Sequence, residues 1–305
     1  MTAKVILNPY ADRWQARDRK TEAENALKEA GVEFDLELTD GPAHAIGLAE
    51  QAIKDGYNPI IAAGGDGTYS EVVNGIAKAT NNDGSIVFGL LPMGSVNDLA
   101  DNLNLPRDLN SAAQVIAGGQ VEIMDLCKVN NRFFDNNAAI GLEPYVTLIQ
   151  ERITFLSGSL RYLIAALIGA FDKPNWEMHL EWEGGEYSGL TTLVTVGNSP
   201  LTGGIFYMTP HANPFDGLLT FVYGFIPTRR GIFSLLPRTM KPGAGSYVEH
   251  PEIHEVFSPW LRVRSKQSTP AHADGEVFSR AIQDLEYQVI PSCLPILMDG
   301  NPYSD

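Results

Sequence analysis

A glycine-rich turn with an acidic residue inside it carries the strongest chemical pattern of the sequence, Gly64-Gly65-Asp66-Gly67-Thr68. It follows the short apolar run Ile60–Ala63 and precedes a helical pattern, so it is predicted to join a strand to a helix. Glycine lets a backbone approach a phosphate closely, and the amides at a helix N-terminus attract anions. Asp66 would repel a bare phosphate but suits one that carries Mg²⁺. We therefore expect a phosphate site here, with a plain glycine turn that binds no ligand as the simpler alternative.

A second turn of the same kind, Gly94-Ser95-Val96-Asn97-Asp98, follows another apolar run. Ser95 with Asp98 three residues later is typical of a helix cap, and Thr68 with Glu71 predicts a capping box after the first turn. Because the carboxyl ends of neighbouring parallel strands meet at one edge of a sheet, Asp98 is also a candidate for the metal-phosphate site.

A third pattern lies far downstream, at His272-Ala273-Asp274-Gly275-Glu276. Asp-Gly is ordinarily a turn, and in isolation that is the better interpretation. The two carboxylates that flank the glycine, Asp274 and Glu276, could also present a general base to a substrate hydroxyl.

Length and charge narrow the classes of protein. The chain has 305 residues, which at about 150 residues per domain favours two domains, and 44% of its residues are hydrophobic, which excludes global disorder. The 22 Lys and Arg residues against 37 Asp and Glu give a net charge of −15, which disfavours nucleic acid as a partner. Cys127 and Cys293 are too few for a disulfide framework, as expected in a reducing compartment.

The beginning of the chain and its apolar segments predict a cytoplasmic protein. Residues from Met1 to Asn8 have the pattern of a strand rather than of a secretory signal. The longest strongly apolar stretch, Tyr162–Phe171, is shorter than the roughly 20 residues of a membrane span. We expect a soluble cytoplasmic protein that can contact a membrane surface.

The first part of the chain alternates strand and helix patterns, which predicts an α/β domain with a mostly parallel sheet. Its strands are expected at Lys4–Leu7, Phe34–Leu38, Ile60–Ala63 and Ile86–Leu91. Its helices are expected at Thr21–Ala30, His44–Lys54, Tyr69–Ala79 and Leu99–Leu103. This domain is predicted to span residues 1–126 and to be completed by 291–305.

Short strands dominate the remainder, residues 127–290, which we predict to be an all-β sandwich domain. The expected strands are Val129–Phe134, Trp176–Trp182, Leu190–Val196, Leu218–Tyr223, Trp260–Val263 and Leu285–Ile290. Gly184-Gly185 predicts a hairpin turn, and Phe155–Phe171 predicts a single helical excursion.

Taken in this order, the three patterns resemble the diacylglycerol kinase catalytic-domain superfamily, which includes bacterial lipid kinases and the sphingosine and ceramide kinases. The glycine turn alone is not specific, because NAD kinases share it, whereas the combination at these separations is. Further segments that resemble the family's motifs are Asn8-Pro9, Thr39 within Leu38–Gly41, Gly94–Ala100, and the loop Asn213-Pro214-Phe215-Asp216-Gly217-Leu218.

The resemblance implies an ATP-dependent kinase that phosphorylates a lipid alcohol in a cleft between an α/β domain and a β domain, with Mg²⁺. It implies Glu276, Asp274 and Asp66 as catalytic residues, with Glu276 taking the proton of the attacking hydroxyl. It implies a structural Mg²⁺ held by Asp216 and by the carbonyls of Asn213 and Leu218. The nucleotide-binding residues that it implies are Asn8, Pro9, Thr39, Gly64, Gly65, Asp66, Gly67, Thr68, Gly94, Ser95, Asn97 and Asp98.

Two positions depart from the family pattern. Tyr10-Ala11-Asp12-Arg13-Trp14 follows Asn8-Pro9 where the family usually has Ser-Gly or a similar small pair, and Ser95 replaces a threonine. The first departure supports one alternative, a catalytically degenerate protein that binds nucleotide or lipid. An NAD kinase-like enzyme is the other alternative.

The partners that the sequence suggests are a lipid alcohol, a membrane surface and a second copy of the chain, and no nucleic acid. Diacylglycerol, phosphatidylglycerol, sphingoid bases and ceramide all suit the lipid role. The apolar segment Phe155–Phe171 either lines an acyl-chain entrance or only packs on the sandwich. Edge strands of a sandwich can pair in a homodimer. The local basic groups that could face lipid head groups are Arg229-Arg230, Arg238 with Lys241, and Arg262–Lys266.

Overall fold

The structure is a computed structural model that describes residues 2–12, 15–153, 156, 158–172 and 174–304. Chain contacts divide it into two compact units. The first unit contains the described residues up to Leu126 and those from Ile290 onward, and the second unit is Cys127–Val289.

The first unit is built on a parallel sheet, as predicted. Its strands are paired in the order β4-β3-β1-β2, all in parallel, and the C-terminal part of the long strand β16 adds to β4 in parallel. Strands β3 and β4 are buried along their whole length, which is why they are continuous apolar runs in the sequence. The bounds are Ala3–Leu7 for β1, Phe34–Leu38 for β2, Ile60–Gly64 for β3, Phe88–Pro92 for β4 and Glu276–Leu297 for β16.

Six helices accompany this sheet among the described residues of the first unit. They are α1 Gln15–Asp18, α2 Lys20–Glu29, α3 His44–Lys54, α4 Asp66–Thr80, α5 Asp98–Asn102 and α6 Leu109–Gly118. Helices α2 to α5 were predicted, with bounds that differ by at most three residues. Helix α6 was missed although its caps are ordinary: Asp108 accepts a hydrogen bond from the Ser111 amide at 2.8 Å, and Gly119 ends it with φ 64°.

The two predicted capping pairs are wrong. Helix α4 begins at Asp66 after the N-cap Gly65, so Thr68 lies inside the helix. Glu71 instead accepts hydrogen bonds from two backbone amides at the start of α3, as described below. Helix α5 begins after Asn97, which rules out the expected cap by Ser95. The carboxylates of Glu71 and Asp66 thus accept from the starts of α3 and α5, which are other elements than their own, and three-residue spacing cannot reveal such partners.

The second unit is an antiparallel β structure, as predicted. Its strands are paired in the order β14-β13-β10-β7-β15-β16, and β8 pairs with β15 and with β9. The last residues of β5 (Val121–Val129) form a hairpin with β6 (Arg132–Phe134). The other bounds are β7 Asn137–Gly141, β8 Trp176–Trp182, β9 Gly185–Thr191, β10 Leu193–Gly197, β11 Leu201–Thr202, β12 Phe206–Tyr207, β13 Leu219–Gly224, β14 Ile253–Ser258 and β15 Trp260–Ala273.

Several strand predictions in this unit need correction. Val129–Phe134 is not one strand, because the chain turns at Asn130 with φ 51°. Leu190–Val196 is divided between β9 and β10. Strands β15 and β16 extend far beyond the predicted segments. The prediction stopped short because exposed polar residues alternate with buried ones in these strands and interrupt the apolar pattern. The hairpin between β8 and β9 is as predicted, with Gly184 at φ 86°.

The prediction of a single helical excursion is also wrong. The described part of the second unit contains three α-helices and two short 3₁₀ turns at 236–238 and 247–249. The α-helices are α7 Leu142–Arg152, α8 Gly158–Asp172 and α9 Arg229–Leu235. Helix α8 accounts for the predicted segment, whose Phe155 is outside the described residues. Helix α7 follows β7 directly at Gly141, without the polar loop that would mark a new element in the sequence.

Each unit has its own apolar core. In the first unit the core contains Val5, Leu7, Leu27, Ile61 and Leu91. In the second it contains Phe134, Ile140, Val194, Phe221 and Tyr287. Within the described ranges, no helix has both the length and the hydrophobicity that a membrane span requires.

Candidate active site

The two glycine turns of the first unit are in direct contact. The turn after β3 begins at Gly64-Gly65, and the turn after β4 contains Gly94. A Cβ atom on Gly65 would lie 3.0 Å from the Cα atom of Gly94. The Met93 amide donates to the Gly64 carbonyl at 2.7 Å, which continues the strand pairing into the turns. The two candidate phosphate-binding turns are therefore adjacent.

Asn97 and Tyr69 hold these turns in place. Asn97 has φ 62°, and its amide side chain accepts from the Gly94 amide at 3.0 Å and donates to the Gly94 carbonyl at 2.9 Å. The Tyr69 hydroxyl donates to the Gly64 carbonyl at 2.9 Å and lies 3.2 Å from Asn97 Oδ1. Both side chains are buried. In this geometry Asn97 shapes the second turn.

Asp66 joins the first turn to the start of α5. Its carboxylate accepts from the Asn97 amide at 3.0 Å and from the Leu99 amide at 3.2 Å. These two amides flank Asp98, which is buried. Two orphan amides at the helix start thus obtain an acceptor from a different helix.

The same corner of the first unit is rich in negative charge. The pKa of Arg107 is raised above its ordinary value, first by a hydrogen bond to Asp101 and further by the charges of Asp98 and Asp66. The Arg107 Nε atom is 2.7 Å from Asp101 Oδ1. A cation is therefore favoured beside these three carboxylates.

The other predicted nucleotide residues lie at the ends of β1 and β2. Asn8 Nδ2 donates to Thr68 Oγ1 at 3.0 Å, so the Asn8-Pro9 segment contacts the first glycine turn. Thr39 is buried, and its amide donates to the Leu7 carbonyl at 2.9 Å. The departure at Tyr10–Trp14 is described only in part, because Arg13 and Trp14 are outside the described residues. Asn8 Oδ1 accepts from the Tyr10 amide at 2.9 Å.

These residues fit Mg²⁺ only together with a nucleotide. In the part of the chain that the structure describes, no three His, Cys, Asp or Glu side chains are grouped as a metal site. Magnesium in phosphotransfer sites is commonly held by one or two carboxylates together with substrate phosphates. Asp66 and Asp98 at the contact of the two glycine turns suit that mode.

The downstream carboxylates, Asp274 and Glu276, have different environments. Asp274 has φ 46° and is buried, and its carboxylate accepts from the backbone amides of residues 135, 136 and 137 at 3.3, 3.1 and 3.2 Å. Glu276 is more exposed, with 56% of its side chain accessible, and forms an ion pair with Arg132. Asp274 thus connects its turn to the backbone of residues 135–137, whereas the Glu276 carboxylate is accessible to a substrate.

In the loop predicted to hold a structural ion, two side chains form ordinary turns by accepting from the backbone amide two residues further on. Asn213 Oδ1 accepts from the Phe215 amide at 3.0 Å, and Asp216 Oδ1 accepts from the Leu218 amide at 2.9 Å. Gly217 between them has φ 76°. The Mg²⁺ role of Asn213, Asp216 and Leu218 stays a prediction.

A large apolar cavity lies within the second unit. It measures about 810 Å³, including its opening to solvent, and is formed chiefly by the three α-helices and the segments that face them. Tyr162 of α8 lines it, and a Cβ atom on Gly275 would lie 3.4 Å from the Tyr162 hydroxyl. Tyr162 therefore lies between the cavity and the Asp274-Gly275-Glu276 turn. Its apolar lining residues include Leu142, Val146, Ala166, Ala170, Leu193, Phe206, Met208, Ile226, Ile232 and Leu235.

Glu143 is a cavity residue that sequence reasoning missed. Its Oε1 atom accepts from Asn137 Nδ2 at 2.6 Å and lies 3.2 Å from His272 Nε2. Burial is the main reason why the pKa values of Tyr247 and Tyr287 are raised well above their ordinary range, and the charge of Glu143 adds to it. One signal was available: like Asp66, Glu143 follows a buried strand and a glycine at the start of a helix.

Comparison with known proteins covers both units. The family model described as diacylglycerol kinase catalytic domain matches residues 2–129. The model described as YegS C-terminal NAD kinase beta sandwich-like domain matches residues 136–298. The diacylglycerol kinases of Staphylococcus aureus strains bovine RF122 / ET3-1 and MRSA252 are each 29% identical to this chain over 275 residues, which is 90% of this chain and 85% of theirs.

Solved structures share the fold of the whole chain. A crystal structure of a diacylglycerol kinase from Bacillus anthracis str. Sterne matches with a TM-score of 0.75 at 19% identity, over 99% of this chain and 97% of that one. A second crystal structure from the same strain matches with a TM-score of 0.79 at 21% identity and the same coverage.

Proposed function

Because this chain belongs to the diacylglycerol kinase catalytic-domain superfamily, we propose that it transfers the γ-phosphate of ATP to the hydroxyl of a lipid alcohol such as diacylglycerol. The observation that carries the proposal is the apolar cavity of the second unit, whose lining residue Tyr162 has its hydroxyl beside Gly275 of the Asp274-Gly275-Glu276 turn. Concave sites lined mainly by apolar side chains with a few polar groups are typical binding sites for apolar ligands. An acyl chain suits this lining, and its alcohol end would then be near two carboxylates.

The contacting glycine turns of the first unit are proposed to bind the ATP phosphates. Gly67, in the first turn of α4, has no atom within 4 Å of the place that a Cβ atom would take, and the N-terminus of α4 carries the positive end of the helix dipole, which attracts anions. The Asn8-Pro9 segment and Thr39 border this surface at the ends of their strands. Mg²⁺ held by the nucleotide beside Asp66 and Asp98 would neutralise phosphate charge.

Glu276 is proposed to act as the general base. The lipid hydroxyl would give its proton to Glu276 while its oxygen forms a bond to the γ-phosphorus. The bond from that phosphorus to the oxygen that bridges it to the β-phosphate would break at the same time, which releases ADP. Arg132 contacts the Glu276 carboxylate and would orient it. Asp274 is a positioning residue in this scheme, because its carboxylate is occupied by backbone amides.

Helix α8 also carries a surface that suits a membrane. Leu160, Leu167, Ile168 and Phe171 are exposed on this helix, with 54% of Leu160 and 63% of Phe171 accessible. Arg229 lies over the Phe171 ring at 5.1 Å. Apolar side chains with a cation beside them match the boundary between acyl chains and anionic head groups. We therefore propose that α8 contacts the membrane and admits the lipid to the cavity behind it.

An NAD kinase-like activity is disfavoured by the same cavity. NAD is polar and carries phosphates, whereas the cavity walls are apolar and Glu143 is the charged residue among those described as lining it. A binding protein without turnover is disfavoured by the joint presence of Asp66, Asp98, Asp274 and Glu276.

The deciding experiment is label transfer from ATP, labelled at its γ-phosphate, to lipid alcohols in mixed micelles with Mg²⁺. The panel should include diacylglycerol, ceramide, a sphingoid base and phosphatidylglycerol, with NAD as a further acceptor. We expect label in a lipid product and its loss in Glu276→Ala. Glu186→Ala is the matched control, because Glu186 is an exposed carboxylate on β9.

Each other outcome has a definite meaning. Label in NADP alone would replace the lipid kinase by an NAD kinase-like enzyme. Nucleotide binding without transfer to any acceptor would favour the degenerate binding protein. Full activity in Glu276→Ala would leave the kinase proposal standing but would remove Glu276 as its base.

A further inference from the structure

Glu143 is the acidic residue in the described lining of the cavity, and its two carboxylate oxygens differ in their hydrogen bonding. Glu143 is in the first turn of α7, and 12% of its side chain is accessible. Its Oε1 atom is paired with Asn137, whereas its Oε2 atom is buried and has no hydrogen-bond partner among the described residues. His272 Nδ1 is likewise buried without a hydrogen-bond partner in that part of the chain, whereas its Nε2 atom lies 3.2 Å from Glu143 Oε1. Unsatisfied buried polar groups are costly, so they call for an occupant or a function.

The lining of the cavity offers no countercharge to an anion. Its described lining residues include threonines and tyrosines as polar groups and Glu143 as an acid, but no lysine or arginine. A carboxylate can only accept hydrogen bonds, and it repels a phosphate in a low-dielectric setting much more strongly than in water. The cavity is thus suited to a head group that donates hydrogen bonds and carries no negative charge.

Glu143 is also tied to the proposed reaction centre. Asn137, which donates to Glu143 through its side chain, donates to Asp274 through its backbone amide at 3.2 Å and accepts from the Asp274 amide at 2.7 Å. Thr202 Oγ1, on the cavity wall, donates to Asn137 Oδ1 at 3.2 Å. Asn137 would therefore connect a head group bound at Glu143 to the Asp274-Gly275-Glu276 turn.

We propose that Glu143 is a specificity-determining residue that accepts a hydrogen bond from the head group of an uncharged lipid alcohol and excludes lipid alcohols that carry a phosphate. The inference rests on the proposed function for its choice of lipid ligands. Within that function it separates diacylglycerol, monoacylglycerol and ceramide, which the cavity accepts, from phosphatidylglycerol, which it rejects.

The test is a binding measurement without nucleotide, so that it does not depend on turnover. Two lipids with the same oleoyl chain, 1-oleoylglycerol and 1-oleoyl-lysophosphatidylglycerol, are titrated in neutral detergent below micelle-forming lipid concentrations, with tryptophan fluorescence and calorimetry as readouts. We expect the wild-type protein to bind the uncharged lipid at least about tenfold more tightly. In Glu143→Gln, which keeps the size and one acceptor, the preference should fall to about threefold or less.

The control is Glu186→Gln, which removes a carboxylate from the exposed surface of β9 in the same unit and should leave the preference unchanged. Circular dichroism and a melting curve establish that both variants are folded. Equal binding of the two lipids by the wild-type protein, an unchanged preference in Glu143→Gln, or no binding of either lipid would each overturn the inference. The kinase proposal is judged separately by label transfer, so either one can fail while the other stands.

Discussion

A Cβ atom on Gly94 would lie 2.4 Å from the Cα atom of Gly65, which means that the two glycine turns touch backbone to backbone. Such a distance is far inside van der Waals contact, and neither partner is a flexible side chain that could move aside. The contact explains why glycine stands at both positions. It also makes the relative placement of the two candidate phosphate-binding turns sensitive to a single methyl group.

We expect Gly94→Ala to separate the turns. The variant should lose about 1–3 kcal/mol of folding free energy, the usual cost of inserting a methyl group into a packed site, and should bind ATP much more weakly than the wild-type protein. Urea unfolding and a nucleotide titration measure the two effects. Gly47→Ala is the control: Gly47 is an exposed helical position in α3, and no described atom lies within 4 Å of the place that an alanine Cβ would take, so alanine should stabilise the fold by about 0.5–1 kcal/mol. Wild-type stability and ATP affinity in Gly94→Ala would contradict the close contact.

Asp66 has a structural role as well as its proposed catalytic one. Because its carboxylate accepts from the Asn97 and Leu99 amides, Asp66→Asn places an amide group against a donor at the start of α5. We expect a loss of about 1–3 kcal/mol of folding free energy and faster hydrogen exchange at these two amides. Turnover should fall about a hundredfold or more, because phosphate positioning is disturbed.

Asp108→Asn is the matched control for Asp66. Asp108 also accepts from a backbone amide, that of Ser111, but as an ordinary N-cap of α6. Asparagine is as good an N-cap as aspartate, so this variant should keep its stability within about 0.5 kcal/mol. If Asp66→Asn left both exchange rates and turnover at wild-type values, neither role of Asp66 would survive.

Glu71 gives a third prediction, which concerns stability alone. Its carboxylate accepts from the Ala43 amide at 2.7 Å and the Ala45 amide at 3.1 Å, so a residue of α4 caps the start of α3. We expect Glu71→Ala to cost about 1–2 kcal/mol in urea unfolding, as the loss of an N-cap does. Glu50→Ala, a change on the surface of α3 itself, should stay within about 0.5 kcal/mol. An equal effect of the two changes would count against cross-helix capping.

The strands β3 and β4 show where prediction from the sequence succeeds, and the contact of Glu71 with α3 shows where it fails. The apolar runs that become β3 and β4 are buried on both faces, so composition alone predicts them and the turns that follow. Thr68 and Glu71 have the spacing of a capping box, but spacing reports only partners within one helix. The acceptor at α3 comes from a helix more than twenty residues away, and no local pattern contains that information.

The candidate site divides in the same way. The glycine turns and the Asp274-Gly275-Glu276 turn could be singled out because unusual residue types are concentrated there. Glu143 was missed, because its one signal, an acid at the start of a helix after an apolar strand and a glycine, is too common in any chain to single it out. Its interest arises from burial beside His272 and from the cavity, and both depend on strands and helices far apart in sequence.

The cavity leads to a prediction about chain length. Ala166 on α8 lines it, so Ala166→Phe would fill part of the volume. We expect KM for a lipid alcohol with a long acyl chain to rise about tenfold while KM for a short-chain analogue changes less than about twofold, since each buried methylene contributes about 0.8 kcal/mol. Ala79→Phe, on the exposed end of α4, is the control for the larger side chain. Equal changes for long and short chains would show that the acyl chain binds elsewhere.

The exposed face of α8 leads to the last prediction. Leu167, Ile168 and Phe171 are accessible on this helix, and burying them in a bilayer would contribute apolar transfer free energy of about 25 cal/mol per Å². We expect the double variant Leu167→Ser with Phe171→Ser to bind vesicles at least about tenfold more weakly, with activity in detergent micelles less affected than activity on vesicles. Leu190→Ser, an equally exposed leucine on β9, is the control. Arg229→Gln should weaken binding only to vesicles that contain anionic lipid, because Arg229 contributes charge rather than apolar area. Wild-type vesicle binding in the double variant would show that α8 does not contact the membrane, and the entrance to the cavity would then have to be sought on another face of the second unit.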